Sequence, residues 1–129
     1  KIQATAKLSE QGIDLTCGIM LQYEDSLAML SSSIEVDQNV TASIHGTEGT
    51  LRLNNRFHEP TSISIVKKYE EVELIEFEEQ GNGMQYQAIE VQAMLEAGKI
   101  QSDKMSWSDS LLLHDVMDEI RRQVGVVYK

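Results

Sequence analysis

Apolar and polar residues alternate with a period of two through most of the first 77 residues, and this alternation predicts a series of short β-strands. Turn residues separate the segments, as at Gln11-Gly12 and Glu24-Asp25-Ser26, and short turns favour antiparallel pairing of neighbouring strands. Seven segments have this character: residues 2–8, 15–23, 27–36, 40–44, 50–54, 63–65 and 72–77.

Three of these segments carry further information. Residues 27–36 have apolar side chains at both odd-numbered and even-numbered positions, and therefore on both faces of the strand. This pattern is typical of a central strand or of a bulged strand and does not distinguish between them. Gly46 and Gly49 join the fourth and fifth segments and predict the positive φ angles of a tight hairpin. The glutamate-rich stretch Glu70–Glu79 predicts a solvated edge strand, with an acidic docking surface as the alternative.

The period changes to that of amphipathic helices after Gly81-Asn82-Gly83. A first helix is predicted over residues 84–98, and Gly98 lies where a left-handed C-terminal cap is expected. A second helix is predicted over residues 106–124 and ends at Gly125. The pattern thus predicts an α+β fold, an open, mostly antiparallel sheet of about six or seven strands with two C-terminal helices packed on one face.

The second helix has a clear start signal. Ser106 or Ser108 would serve as the N-cap, and Asp109 in the first turn complements the helix dipole. Each helix also has an apolar stripe that is predicted to face the sheet. The stripes are Met84, Ala88, Ile89, Val91, Met94 and Leu95 in the first helix, and Leu113, Val116, Met117, Ile120 and Val124 in the second.

Length and charge limit the possible functions. We interpret residues 1–129 as a single domain, and the net charge of -10 disfavours nucleic acid and anionic membranes as partners. No apolar run approaches the roughly 18 residues of a membrane helix, and no signal peptide is recognised. Cys17 is predicted to be a small buried residue, consistent with a cytoplasmic location. The chain starts at Lys1 in strand pattern and without Met, which we interpret as a piece of a longer polypeptide.

The sequence contains no recognisable catalytic or metal-binding constellation. His45, His58 and His114 lack metal-ligand spacing, so no metal site is predicted. Gly81-Asn82-Gly83 precedes a helix, but the full Gly-x-Gly-x-x-Gly motif and a parallel βαβ unit are missing. We therefore favour turn formation over phosphate binding at these glycines.

Five segments, in order along residues 40–128, together carry a family resemblance. The segments are Val40–Leu53; Phe57 with Pro60; Gly83–Tyr86 with Glu90; Ala97-Gly98-Lys99 with Ser102; and Ser110–Tyr128, which includes Met117, Asp118, Ile120, Arg121 and Gly125. They resemble the C-terminal domain of the Gfo/Idh/MocA oxidoreductases, the glucose-fructose oxidoreductase and inositol dehydrogenase family, and most of all its dihydrodiol dehydrogenase-like subgroup.

This resemblance implies a two-domain oxidoreductase that transfers hydride between NAD or NADP and a sugar, polyol or diol. The chain would be its C-terminal substrate-binding and dimerisation domain, without the Rossmann domain. The family's Glu-Lys-Pro motif and its aspartate and histidine partners do not occur here, so no catalytic residue is carried over. The isolated chain is expected to be inactive and to bind no cofactor. The expected pocket residues are Tyr86, Met84 and Gln85, with a locally packed tyrosine as the alternative.

The strands also have apolar residues on the face that the helices would leave open, such as Met20, Leu27 and Met29. This predicts that the open sheet face is the interface of an isologous homodimer. The small-molecule substrate is the other expected partner of the parent protein. A non-enzymatic dimerisation or binding module of the same architecture is the alternative hypothesis. A free-standing small enzyme is a third, and the missing catalytic constellation disfavours it.

Overall fold

The computed structural model describes residues 1–59, 62–77, 81 and 83–127. The chain divides into two compact units, Lys1–Gln38 with Asp103–Lys129, and Asn39–Ser102. Seven strands and two helices occur in the described part. They are β1 (Ile2–Leu8), β2 (Asp14–Gln22), β3 (Leu27–Ser33), β4 (Ala42–His45), β5 (Gly49–Leu53), β6 (Ile63–Lys67), β7 (Glu73–Ile75), α1 (Gln85–Glu96) and α2 (Trp107–Val124).

The first unit contains a three-stranded antiparallel sheet in the order β1-β2-β3. Ile2 pairs with Leu21 and Ala6 pairs with Cys17, so the apolar positions of β1 and β2 share one face. Cys17 is 4% exposed, which confirms the prediction that it is buried. Burial, together with the nearby Asp14 carboxylate, raises the pKa of the Cys17 thiol. A thiol in this environment is a packing residue and a poor nucleophile.

Helix α2 packs against β1. Val116, Ile120 and Val124 of the predicted stripe are half-buried, as expected for side chains that face a sheet. Leu113 and Met117 are instead 50% and 38% exposed, so the prediction that they are buried is wrong. The half-buried residues are spaced by four and form one line along the helix, whereas Leu113 and Met117 lie on the neighbouring line, so the buried stripe is narrower than predicted.

Both ends of α2 agree with the sequence signals. Ser106 is the N-cap: its Oγ accepts a hydrogen bond from the Asp109 N–H at 3.2 Å, and the Asp109 carboxylate accepts one from the Ser106 N–H at 2.9 Å. This reciprocal pair is a capping box. Gly125 has a left-handed φ of 82°, and its N–H donates to the Arg121 carbonyl at 2.9 Å. Local sequence therefore sets both bounds of this helix.

The second unit contains a four-stranded antiparallel sheet in the order β4-β5-β6-β7. Ile44 pairs with Leu51, and Leu51 pairs with Ile65, so these apolar side chains share one face. Strand β7 lies at the edge, and its Glu73 is exposed. The prediction of a solvated edge strand is confirmed for the described part of the glutamate-rich stretch; residues 78–79 lie outside the described residues.

The glycines of the hairpin between β4 and β5 have a different structural role from the predicted one. Neither Gly46 nor Gly49 has a positive φ, so that part of the prediction is wrong. A Cβ added at Gly49 would lie 2.4 Å from the Val66 carbonyl oxygen, whereas one at Gly46 would meet nothing closer than 3.8 Å. Gly49 is therefore required because the β5 and β6 backbones approach closely there, and a side chain would not fit.

Helix α1 lies within the predicted range and ends as expected. Gly98 has a φ of 68°. Its N–H and that of Lys99 donate to the Leu95 and Met94 carbonyls at 3.0 and 2.9 Å, which satisfies carbonyls of the last turn. Most of the apolar stripe of α1, however, is exposed: Leu95 is 70% exposed, and Met94 is the one half-buried member of the stripe. Among the described residues, α2 packs against a strand and α1 does not to a comparable extent.

The α+β class, the antiparallel pairing and the strand number are confirmed, but the strands form two sheets instead of one. Strand β3 ends at Ser33, before the predicted end. The Ser33 Oγ accepts hydrogen bonds from the N–H groups of Glu35 and Val36 at 3.1 and 3.2 Å, and these bonds turn the chain away from the strand. β3 pairs with β2 at the edge of its sheet, so it is neither a central nor a bulged strand. The register shift occurs instead in β1, between Lys7 and Leu8.

Candidate functional site

The three predicted pocket residues lie together at the start of α1. Gly81 and Gly83 adopt positive φ angles of 63° and 84°, which glycine tolerates without strain, and they lead the chain into the helix. Met84 occupies the N-cap position and contributes no side-chain hydrogen bond to the helix end. The Tyr86 N–H donates to the Gly83 carbonyl at 3.2 Å. Asn82, between the two glycines, lies outside the described residues.

The side chains of these residues differ in exposure. Tyr86 is 49% exposed and Met84 is 69% exposed, whereas Gln85 is half-buried. The Gln85 amide lies over Gly81, where an added Cβ would be 3.4 Å from Oε1. A phenol both donates and accepts hydrogen bonds, and a thioether is apolar. The helix start therefore presents one polar and one apolar group beside a turn that Gln85 covers.

A hydrogen bond ties the loop after α1 back to the helix. The Ser102 Oγ donates to the Glu90 carboxylate at 2.7 Å. Both residues belong to the segments that carry the family resemblance, but the sequence did not predict that they meet. The contact depends on the chain reversal at Gly98, whose left-handed conformation directs the following residues back along α1.

Two open clefts of the second unit are lined wholly by described residues, and the lining of neither includes the predicted pocket residues. One, of about 360 Å³, is at the C-terminal end of α1, where Val91, Leu95 and Ile100 are among its lining residues. Because a helix rises about 1.5 Å per residue, the lining residues Val91 and Leu95 lie roughly 8 and 14 Å along the axis from Tyr86. The other, of about 410 Å³, adjoins the β4–β5 hairpin and is lined in part by Ile44 and Ile65.

The charged residues of the last motif interact within α2. Arg121 forms an ion pair with Asp118. Arg122 donates two hydrogen bonds of 2.7 Å to the Glu119 carboxylate. These bonds, and a further one from the Gln123 amide, lower the pKa of Glu119 to about 2. Asp118 and Glu119 are therefore engaged with arginines one turn away and do not form a pair of carboxylates suited to acid–base catalysis.

Metal ligands, membrane-spanning helices and histidine contacts are the remaining candidate features of the part of the chain that the structure describes. It holds no group of three or more His, Cys, Asp or Glu residues arranged to bind a metal ion, and none of its helices combines the length and apolar character needed to cross a membrane. His45 Nδ1 lies 3.0 Å from Thr50 Oγ1, a contact between the paired strands β4 and β5. Pro60 and Tyr128, which belong to the family-like motifs, lie outside the described residues.

Comparison with known proteins points to one kind of enzyme. No family model matches the chain. Among curated proteins, the chain is 34% identical over 134 residues to trans-1,2-dihydrobenzene-1,2-diol dehydrogenase of Danio rerio, 31% identical over 134 residues to the Homo sapiens protein of that name, and 33% identical over 134 residues to that of Xenopus tropicalis. The alignments cover 98 to 99% of this chain and 40% of each relative.

The chain is thus similar to a C-terminal part of enzymes of the dehydrogenase class. These relatives are the trans-1,2-dihydrobenzene-1,2-diol dehydrogenases, which belong to the Gfo/Idh/MocA family, so the resemblance deduced from the five segments is confirmed. The chain spans about 40% of the length of these relatives and corresponds to a C-terminal part of them.

Proposed function

We propose that this chain is the C-terminal substrate-binding and dimerisation domain of an NAD(P)-dependent dehydrogenase that acts on a diol, with a polyol or sugar as related substrates. The observation that supports this proposal is the identity of 30 to 34% to trans-1,2-dihydrobenzene-1,2-diol dehydrogenases along 98 to 99% of the chain. Identity spread along the whole chain indicates a shared domain, because a shared short motif would give a local match only.

The described residues do not fit the requirements of a dinucleotide site. Their strand pairs are all antiparallel. A dinucleotide binds at a glycine-rich turn between a strand and a helix of a parallel βαβ unit. We therefore assign the nicotinamide cofactor, and the groups that exchange hydride and proton with the substrate, to another part of the longer protein. The chain on its own is expected to have no dehydrogenase activity.

The contribution proposed for this chain is recognition of the substrate by Tyr86. Its phenol is half-exposed on a helix start that the Gly81 and Gly83 turn and the Gln85 side chain hold in place. The hydroxyl would bond a substrate hydroxyl, and Met84 beside it would contact the substrate's carbon skeleton. Substrate binding at this position would hold the diol near the rest of the active site.

The test uses the full-length protein that contains this chain. We expect it to reduce NAD or NADP, measured by absorbance at about 340 nm, when trans-1,2-dihydrobenzene-1,2-diol is supplied. Absence of this activity with diols, polyols and sugars would contradict the proposed function. Tyr86→Phe removes only the phenol hydroxyl and is expected to lower kcat/KM about five- to tenfold, as the loss of one hydrogen bond predicts.

The matched control is Tyr69→Phe. Tyr69 is 94% exposed in the loop between β6 and β7, so the same chemical change there is expected to leave kcat/KM unchanged. Equal activity of the two variants would remove the role proposed for Tyr86 and leave the dehydrogenase proposal intact.

The dimerisation role is supported by the outer face of the three-stranded sheet. Met20 pairs with Met29, so the two side chains are neighbours on the face opposite the buried positions of β1. Met29 is 79% exposed and Leu27 is 56% exposed. An exposed apolar surface on a sheet face is typical of a protein–protein interface, and a second copy of the chain is the partner that we propose. These apolar side chains equally favour a non-enzymatic dimerisation or binding module, which the activity assay distinguishes.

A further inference from the structure

We propose that Gln123 of α2 closes the outer edge of β1 by taking the place of a neighbouring strand. β1 lies at one edge of its sheet. The Ala4 N–H donates to the Gln123 Oε1 at 2.8 Å, and the Gln123 Nε2 donates to the Ile2 carbonyl at 3.0 Å. One side-chain amide thus presents to β1 the same acceptor and donor that the backbone of another strand would present.

The register of the sheet shows that these backbone groups face outward. Lys1, directly before β1, and Gln22 of β2 exchange two hydrogen bonds. The Gln22 N–H donates to the Lys1 carbonyl at 2.8 Å, and the Lys1 nitrogen donates to the Gln22 carbonyl at 2.7 Å. Backbone groups of successive residues point alternately to the two sides of a strand. The backbone N–H and carbonyl groups of Ile2 and Ala4 therefore point to the outer edge of the sheet. Unpaired groups at such an edge would form hydrogen bonds with another strand.

The orientation of the Gln123 amide is fixed by a second contact on its own helix. Its Nε2 also donates to the Glu119 Oε1 at 2.7 Å, and Arg122 holds both oxygens of that carboxylate. Rotating the amide by half a turn would place its oxygen against two acceptors and its nitrogen against a donor. The network therefore selects the one orientation in which Gln123 bonds both edge groups.

The two hydrogen bonds from Gln123 to β1 join distant parts of the chain and are partly shielded from solvent. They join residues 119 and 121 positions apart, and both are partly buried. A hydrogen bond shielded from water is stronger than an exposed one, and leaving a shielded group unpaired is costly. We infer that Gln123 occupies the place that a strand of another molecule would need in order to pair with β1 at Ile2 and Ala4. This inference does not depend on the proposed dehydrogenase activity.

Hydrogen exchange of individual amides in the 129-residue chain tests this inference. In Gln123→Leu, the Ala4 amide is expected to exchange at least about fivefold faster than in the original protein, as the loss of one hydrogen bond predicts. The amides of Gln3 and Thr5, which face β2, are expected to keep their exchange rates. Gln92→Leu is the control, because Gln92 lies on α1 and bonds Glu96 within the helix at 2.8 Å.

Two results would overturn the inference. One is an Ala4 exchange rate that is the same in Gln123→Leu and Gln92→Leu. The other is equal acceleration of all amides in β1, β2 and β3, which would mean that Gln123 affects only the global stability. If the leucine variant does not fold, Gln123→Met provides a second test. Its thioether cannot donate to Ile2 and is only a weak acceptor for the Ala4 N–H, so faster Ala4 exchange is expected there too.

Discussion

Gly49 lies where β5 passes close to the backbone of β6, and its substitution gives a test at the scale of one residue. In Gly49→Ala, the new Cβ would be 2.4 Å from the Val66 carbonyl oxygen and 3.1 Å from the Lys67 Cα. Both contacts are with backbone, so the strands must move apart. We expect the free energy of unfolding to fall by about 1 to 3 kcal/mol, the usual cost of overpacking, measured by urea denaturation.

Gly46→Ala is the matched control for this prediction. Gly46 lies in the same hairpin, has no positive φ, and a Cβ there would be 3.8 Å from the nearest atom, the Gly49 carbonyl oxygen. An alanine at this position is expected to leave the stability unchanged or to raise it by roughly 0.4 to 1 kcal/mol, because it reduces the freedom of the unfolded chain. Similar losses of stability at both glycines would contradict the steric explanation.

At the scale of one element, the capping box of α2 predicts a dependence of stability on pH. Hydrogen bonds from the Ser106 side chain and then from its backbone N–H lower the pKa of Asp109. A carboxyl whose pKa is lower in the folded state stabilises that state above its unfolded pKa, about 3.9 for aspartate. This contribution is lost as the pH falls through the lower folded-state pKa.

Asp109→Asn tests this prediction by urea denaturation at several pH values between roughly 3 and 7. The original chain is expected to be more stable than the variant near neutral pH, and the difference is expected to shrink as the pH falls below about 4. Asp115→Asn is the control, because Asp115 lies in the middle of the same helix, away from the N-cap. A difference for Asp109→Asn that stays constant with pH would contradict the role given to its carboxylate.

The two helices show how differently similar sequence signals are used. α2 has a capping box, a left-handed glycine at its end and hydrogen bonds to β1. α1 has the glycine signal at its end but no side-chain cap at its start, and most of its apolar stripe is exposed. An amphipathic helix gains most of its stability from burial of its apolar face. Most of the apolar surface of α1 therefore stays exposed in this chain, whereas part of the apolar stripe of α2 is covered by the sheet.

At the scale of the whole molecule, the proposed homodimer predicts the effect of a charge on the outer sheet face. Met29→Asp places a carboxylate at the most exposed apolar side chain of β3. Burying an unpaired charge in an interface is strongly unfavourable. We expect the original chain to be dimeric in sedimentation equilibrium at micromolar concentration, and Met29→Asp to weaken the association at least about tenfold, or roughly 1.4 kcal/mol.

Ile100→Asp is the control for this measurement. Ile100 is 77% exposed, close to the exposure of Met29, but it lies in the loop after α1 and outside the three-stranded sheet. The same change in net charge there is expected to leave the dimer intact. A monomeric original chain, or equal weakening by both substitutions, would contradict an interface on the outer face of this sheet.

The sequence by itself determined the features that depend on neighbouring residues or on a regular period. Alternation located all seven strands, and helical periodicity located both helices. The N-cap falls at Ser106, one of the two serines predicted for it, and the left-handed Gly98 and the helix end at Gly125 were predicted correctly, because caps involve groups only a few residues apart. Cys17 was correctly placed in the interior, since its strand has one regular apolar face. The family was recognised for a similar reason, because its motifs are short and occur in order.

The tertiary structure alone decided which of these elements meet. It separated the strands into two sheets, replaced the expected turn conformation of Gly49 by a close backbone approach, and left most of the stripe of α1 exposed. It also paired Ser102 with Glu90, and Gln123 with β1 more than a hundred residues away. Periodicity tells which side of an element is apolar but not which surface covers that side. The partner is set by the packing of distant parts of the chain, where many arrangements satisfy the same local pattern.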